Sequence, residues 1–140
     1  MAVFCGIDWA EHHHDVALVD ESGTVIAQRR ITETVQGYQE LLEMLAAAGD
    51  EADTMIPVAI EKPRGLLVAC LRASGRPVFA INPLSASRYR ERHAVSRKKS
   101  DRQDAIVLAN ILRTDMALHR PLPADTQQAQ AIAVLARAQQ

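Results

Sequence analysis

The sequence predicts an α/β domain built on a mixed five-stranded sheet flanked by helices. Three features of the chain lead to this fold class. Three short apolar runs come first, separated by tight turns; helical periodicity starts at Thr34; from there helical segments alternate with apolar runs. Tight turns require antiparallel pairing, whereas strands connected by helices run parallel to one another. We therefore expect an antiparallel trio of strands followed by a parallel part.

The first three strands are predicted at residues 3–8, 15–19 and 24–31. The first run is apolar at both alternating sets of positions, which is typical of a central strand covered on both faces. It ends in an acid, Asp8. The turn at residues 21–23 contains Gly23 and leads directly from the second strand into the third.

The later elements alternate. Apolar residues spaced by three and four predict a helix from Thr34 that Gly49 ends. Strands are predicted at residues 57–61 and 77–81, with a helix at 64–74 between them. A helix or turn begins at Asn82-Pro83 and runs through residues 85–92, and a last helix runs from 101 to about 115. Residues 126–140 look helical, with a thin apolar stripe and no capping signal. We expect residues 1–118 to be a catalytic domain and residues 119–140 to begin a helical linker, or to pack on a partner.

Composition excludes several classes of protein. The chain has 140 residues and 48% hydrophobic content, which suits one globular domain. No apolar run could cross a bilayer and no secretory signal is present, so we expect a cytoplasmic protein without a membrane partner. Cys5 and Cys70 sit among apolar residues, as buried thiols do, and their spacing excludes a thiolate zinc site.

Charge is distributed unevenly although the net charge is only −1. The only bases before Lys62 are Arg29 and Arg30, whereas bases predominate from Lys62 to Arg120. The densest group forms what we call the basic stripe: Arg88, Arg90, Arg92, Arg97, Lys98, Lys99 and Arg102. Such a stripe is typical of a surface that contacts nucleic-acid phosphates, to which Lys62 and Arg64 could add. The alternative is a solvated helix face followed by a loop.

Two acids stand three residues apart at the start of the last predicted helix. With Ser100 as the N-cap, Asp101 and Asp104 share a face with Leu108 and Ile111, so both acids point toward the core. Carboxylates facing an interior are unfavourable unless they are paired or bind a cation. A salt bridge to Lys98, Lys99 or Arg102 is the simpler alternative to a metal.

Two further acids end predicted strands. Asp8 ends the first strand and Glu61 the fourth, and such strands are commonly neighbours whose carboxyl ends meet. Four carboxylates with no basic residue among them predict hard divalent cations, Mg²⁺ or Mn²⁺. A pair of such ions supports phosphoryl transfer on a nucleic-acid backbone.

The chain resembles the amino-terminal domain of the DEDD-type insertion-sequence transposases, relatives of the Piv invertase. The resemblance is carried by four motifs in order: Gly6-Ile7-Asp8-Trp9-Ala10, Ile60-Glu61-Lys62-Pro63-Arg64-Gly65, Asn82-Pro83, and Lys99-Ser100-Asp101-Arg102-Gln103-Asp104-Ala105. It implies a RuvC-like, ribonuclease H-like fold, with Asp8, Glu61, Asp101 and Asp104 as the metal-binding tetrad for DNA cleavage and strand transfer. It also implies a second domain that supplies a serine for strand exchange, and in some members a guide RNA. We also expect a homo-oligomer.

Other functions fit parts of the pattern. A Holliday-junction resolvase has the same fold and a similar tetrad, and a non-catalytic nucleic-acid-binding dimerisation module could keep the tetrad for structure. An actin-like sugar kinase is disfavoured, because no Gly-, Ser- or Thr-rich phosphate turn follows Asp8. We expect His12, His13 and His14 to be exposed or hydrogen-bonded, with His14 nearest the site, and Trp9 to pack rather than stack on bases.

Overall fold

The computed structural model describes residues 2–10, 12–92 and 101–123, with the side chains of residues 101–103 left out. The helices and strands follow one another as β1 (Val3–Trp9), β2 (His13–Asp20), β3 (Val25–Thr32), α1 (Val35–Ala47), β4 (Val58–Ile60), α2 (Leu66–Ala73), β5 (Val78–Ala80), α3 (Pro83–Arg92) and α4 (Asp101–Asp115). A short 3-10 helix, Met116–Leu118, follows α4. The predicted helical segment at residues 126–140 lies outside the described residues.

The five strands form one sheet in the order β3, β2, β1, β4, β5. β1 pairs antiparallel with β2, and β2 pairs antiparallel with β3. β1 and β4 are parallel, as are β4 and β5. The predicted mixed sheet is therefore confirmed, including the neighbouring position of the first and fourth strands. In the described part of the chain, no helix is long and apolar enough to span a membrane.

The sheet separates two apolar layers. On one face, α1 and α2 cover alternate residues of β1 and β2, with Leu41, Leu45 and Leu71 fully buried. On the other face, α3 and α4 enclose a second cluster that includes Leu108 and Leu112. Helices on both faces explain why β1 is apolar at consecutive positions, as the sequence predicted.

One glycine fixes the distance between α4 and the sheet. A Cβ placed on Gly6 would lie 2.0 Å from the Ala105 carbonyl oxygen and 2.6 Å from the Ala109 nitrogen. Only glycine allows the helix backbone to sit this close to β1. The first helix is set by a cap instead: Thr34 accepts a hydrogen bond from the Gly37 N–H at 3.0 Å, which confirms its predicted start.

Both cysteines are free and buried, as predicted. Cys5 lies on the α1 side of β1 and is completely shielded from solvent. Burial raises the pKa of its thiol to about 12, because a thiolate could not be solvated there. This thiol is consequently a packing group and has no nucleophilic character.

Candidate active site

Two carboxylates stand at the same end of neighbouring parallel strands. Ile7 of β1 pairs with Ile60 of β4, and Asp8 and Glu61 are the next residues along each chain. Parallel strands in register present equivalent residues at the same edge, so the two acids lie side by side at the carboxyl end of the sheet. Each side chain is partly exposed.

The beginning of α4 lies over this same edge. α4 crosses Gly6 at Ala105 and Ala109, and its later residue Asn110 approaches Gly23 at the opposite end of the sheet. The helix therefore runs with its amino end toward Asp8. Asp104 immediately precedes the contact at Gly6, and Asp101 begins the helix, although the Asp101 side chain lies outside the described residues.

Asp104 already has a cationic partner. Its Oδ1 accepts a hydrogen bond from Nη2 of Arg90 on α3, and both side chains are about one-fifth exposed. The expectation that no basic residue lies among the acids is therefore wrong. The pair forms because α3 packs along α4, a tertiary contact that the spacing of the acids does not reveal.

No three His, Cys, Asp or Glu side chains in the described part of the chain are grouped closely enough to hold a metal ion. Asp8, Glu61 and Asp104 thus share one end of the sheet without forming a closed ligand cluster. Mg²⁺ and Mn²⁺ bind carboxylate oxygens and keep several coordination positions for water and substrate. The donor set fits such an ion, and Arg90 supplies a positive charge beside Asp104.

The sequence model of the IS110-type DEDD family, described as "Transposase", matches residues 5–140. The chain belongs to this transposase family. The resemblance drawn from the four motifs is thereby confirmed.

Two curated relatives are also named as transposases. The mini-circle protein named as a transposase for IS117 from Streptomyces coelicolor is 69% identical over 140 residues, which cover 100% of this chain and 34% of that protein. The protein y4uE from Sinorhizobium fredii is 38% identical over 120 residues, covering 85% of this chain and 33% of that protein. The chain spans about a third of the length of these relatives.

Solved structures of RuvC from Thermus thermophilus share the fold. RuvC in complex with a Holliday junction substrate aligns with a TM-score of 0.60 at 15% identity, covering 87% of this chain and 100% of that chain. A second RuvC structure aligns with a TM-score of 0.60 at 18% identity, covering 86% of this chain and 99% of that one. These alignments confirm the RuvC-like fold of the transposase chain.

The basic stripe is only partly described in the transposase chain. Arg88 and Arg92 are exposed on α3, whereas Arg90 binds Asp104. Arg92 Nη2 lies 3.8 Å from Asp115 Oδ2 of α4. Two of these arginines therefore face acids of a neighbouring helix, which the sequence did not predict. The remaining stripe residues, namely Arg97, Lys98, Lys99 and the Arg102 side chain, lie outside the described residues.

The segment after β4 is held to β1 from the α1 side of the sheet. Lys62 Nζ lies 4.8 Å from the centroid of the Trp9 ring, a cation–π contact. The Trp9 ring is in turn 6.1 Å from the His14 ring. These contacts agree with the predicted packing role of Trp9, and they place Lys62 beside the strand end that carries Asp8. Arg64 is exposed in the same segment.

His14 differs from its prediction. Its side chain is 0% exposed, and neither ring nitrogen has a hydrogen-bond partner among the described residues. Nε2 lies 3.8 Å from Glu33 Oε1. Burial lowers the pKa of His14, an effect that the nearby Glu33 partly opposes. His12 is exposed as expected, but His14 is a buried core residue beside Trp9.

A further acid near the site was not anticipated. Asp15 pairs directly across from Asp8 in the antiparallel register of β1 and β2. It is 3% exposed and binds Arg30 of β3. The signal was available in the sequence: a short turn between two strands that end and begin with acids brings those acids opposite each other.

Proposed function

We propose that this chain is the nuclease part of a transposase, which cleaves DNA and transfers the cleaved strand with a divalent ion held by Asp8, Glu61, Asp101 and Asp104. The proposal rests on one observation. The amino end of α4 lies over the carboxyl ends of β1 and β4, where Asp8 and Glu61 are neighbours. That arrangement joins acids from three separate parts of the sequence at a single edge.

In this proposal the four acids are the ligands of the ion, and strand pairing and helix packing set their positions. The pairing of Ile7 with Ile60 fixes the spacing of Asp8 and Glu61, while the contact at Gly6 fixes the depth of α4. Bound there, Mg²⁺ or Mn²⁺ would supply charge for polarising a phosphate and for lowering the pKa of an attacking oxygen. Asp104 would hold the ion by giving up or sharing its contact with Arg90.

DNA is the proposed substrate, because two exposed basic residues, Lys62 and Arg64, directly follow Glu61 at the carboxyl end of β4. Arg88 and Arg92 lie on α3, toward the carboxyl end of α4. Charges of this kind bind phosphates without reading the sequence of bases. The proposal also counts Arg97, Lys98, Lys99 and Arg102 of the basic stripe among the residues that bind DNA.

The complete protein is proposed to carry more than this chain does. We assign residues 1–118 to the catalytic domain and residues 119–140 to the start of a helical linker. Since the chain spans about a third of its curated relatives, strand exchange, any guide RNA and homo-oligomer formation belong to the whole protein in this proposal.

Calorimetric titration with Mn²⁺ tests the ligand assignment. We expect weak binding to the chain without nucleic acid, because few protein ligands and many waters make an open site. The double variant Asp8→Asn with Asp104→Asn should abolish the binding. Glu43→Gln is the matched control, since this exposed carboxylate lies on α1, on the opposite face of the sheet. Equal Mn²⁺ affinity in the double variant and the control would reject the assignment.

Nicking of supercoiled DNA tests the activity. We expect Mg²⁺-dependent nicking by a full-length protein that carries this domain, and its loss in Asp8→Asn. A four-way junction included as a second substrate separates a transposase from a resolvase, because a resolvase should cut the junction in preference to linear or supercoiled duplex. Nicking that survives Asp8→Asn unchanged would contradict the proposed role of this edge.

A further inference from the structure

Three charged residues form a row across three adjacent strands. Asp8 of β1 pairs with Asp15 of β2, and Asp15 pairs with Arg30 of β3. Directly paired residues share a face of the sheet, and Gly6, two residues before Asp8, faces α4. The row therefore lies on the α4 face, beside the carboxyl end of β1. We call it the charged row.

The second and third members of the charged row are tied together. Arg30 Nε donates to Asp15 Oδ1 at 3.0 Å and Arg30 Nη2 donates to Asp15 Oδ2 at 3.3 Å. The Asp15 side chain is 4% exposed and that of Arg30 is 53% exposed. A buried carboxylate thus fixes the direction of an exposed guanidinium, which reduces the entropy lost when that guanidinium binds a ligand.

A polar groove adjoins the exposed end of Arg30. α4 packs against β1, β2 and β4, whereas β3 forms the edge of the sheet and is exposed along most of its length. A cavity of about 280 Å³ lies there, lined by Asp15, Val16, Gln28, Arg29 and Arg30. It lies at β3, on the side of the sheet away from β5, which α3 follows.

We propose that Arg30, oriented by Asp15, binds a backbone phosphate of the DNA that occupies the candidate active site. This inference rests on the proposed function and adds a contact on the β3 side of the site. Two strand spacings, about 10 Å, separate the backbones of Asp8 and Arg30. A single nucleic-acid strand can reach both residues, and the planar guanidinium carries five N–H donors in a geometry that suits phosphate oxygens.

Arg29 gives a matched control within the same strand. It neighbours Arg30 and has a similar exposure, 46%, but it binds Glu40 of α1 at 3.1 Å on the opposite face of the sheet. The test pair is Asp15→Asn with Arg30→Gln, and the control pair is Arg29→Gln with Glu40→Gln. Each double variant keeps the net charge and leaves amides that can hydrogen-bond. Any difference between them therefore reports a local contact rather than the overall charge.

The measurement is the salt dependence of binding to a labelled duplex DNA, by fluorescence anisotropy between 50 and 200 mM salt. Losing one phosphate contact should reduce the slope of log K against log salt concentration by about 0.9. This corresponds to a roughly eightfold weaker affinity at 0.1 M salt. We expect this change in the Asp15/Arg30 variant and no change in the Arg29/Glu40 variant.

Each outcome decides the matter. An unchanged slope in the Asp15/Arg30 variant, or an equal loss in both variants, overturns the contact while wild-type binding leaves the proposed function intact. If the wild-type chain shows no salt-dependent DNA binding, both proposals fall. A thermal melt checks folding. Should the double variant unfold, Arg30→Gln alone, whose amide can still donate a hydrogen bond to Asp15, is judged by the same slope.

Discussion

Two arginine–aspartate pairs, at opposite ends of the sheet, have the same chemistry and different surroundings. Arg76, just before β5, binds Asp50, which follows α1 and precedes β4. Arg90 binds Asp104 at the end where Asp8 and Glu61 lie. The first pair joins the segments that enter β4 and β5, while the second joins α3 to the candidate metal ligands.

Their hydrogen bonding separates a structural pair from a replaceable one. Arg76 is 4% exposed, and its Nη1 and Nη2 contact the two oxygens of Asp50 at 2.7 and 2.8 Å. Its Nη1 also donates to the Ile56 carbonyl at 2.9 Å, while the Ile56 N–H donates to Asp50. Arg90 and Asp104 share a single, partly exposed contact. The buried Arg76–Asp50 pair therefore holds together the segments before β4 and β5. In the partly exposed Arg90–Asp104 pair, the carboxylate can bind another cation instead.

The largest effect is expected from Arg76→Ala. Removing one partner of a buried ion pair leaves an uncompensated charge, so the free energy of unfolding should fall by about 3–5 kcal/mol. Urea denaturation followed by circular dichroism measures it. Arg29→Ala is the control, because its partly exposed pair with Glu40 should contribute only about 0–1 kcal/mol. Equal losses of unfolding free energy in Arg76→Ala and Arg29→Ala would show that burial does not make the Arg76–Asp50 pair the stronger one.

The next effect concerns how α4 is seated at the site. Gly6→Ala places a methyl group against the backbone of Ala105 and Ala109, and overpacking of this kind costs typically 1–3 kcal/mol. The same change should weaken Mn²⁺ binding, since α4 must move away from β1. Gly75→Ala is a useful contrast, because its Cβ would meet open space and only its backbone conformation is strained. Unaltered Mn²⁺ binding in a destabilised Gly6→Ala protein would show that metal binding does not depend on the distance between α4 and β1.

Acid should weaken the Arg76–Asp50 pair by protonating Asp50. The hydrogen bond from Arg76 and the backbone of Ile56 lower the pKa of Asp50 below its usual value near 4. A lowered folded-state pKa means that this stabilisation is complete above pH 4 and is lost as pH falls through the folded-state value. Asp50→Asn should flatten this part of the stability profile. A variant that follows the wild-type profile below pH 4 would assign the acid sensitivity to other carboxylates.

The sequence predicts the parts of this molecule that depend on periodicity and order along the chain. Alternating apolar runs give the mixed sheet, and their acidic ends bring Asp8 and Glu61 to one edge. Contacts that depend on packing between distant segments stay hidden: Asp50 and Arg76 are 26 residues apart, and Arg90 meets Asp104 only because α3 lies on α4. His14 was misjudged for a similar reason, since three consecutive histidines carry no sign of which one faces the core.

The smallest effect on stability, and the most informative one for the site, is expected from Arg90→Gln. The partly exposed pair should contribute about 1 kcal/mol or less to stability, so the melting behaviour should change little. Mn²⁺ affinity should instead rise by about two- to fivefold, which is that same energy converted to a binding constant, because Asp104 no longer binds a guanidinium. Calorimetry at fixed salt measures it, with Arg92→Gln as the control on the same helix. Weaker Mn²⁺ binding in Arg90→Gln would show that this arginine orients Asp104 instead of competing for it, and the two ion pairs would then both be structural.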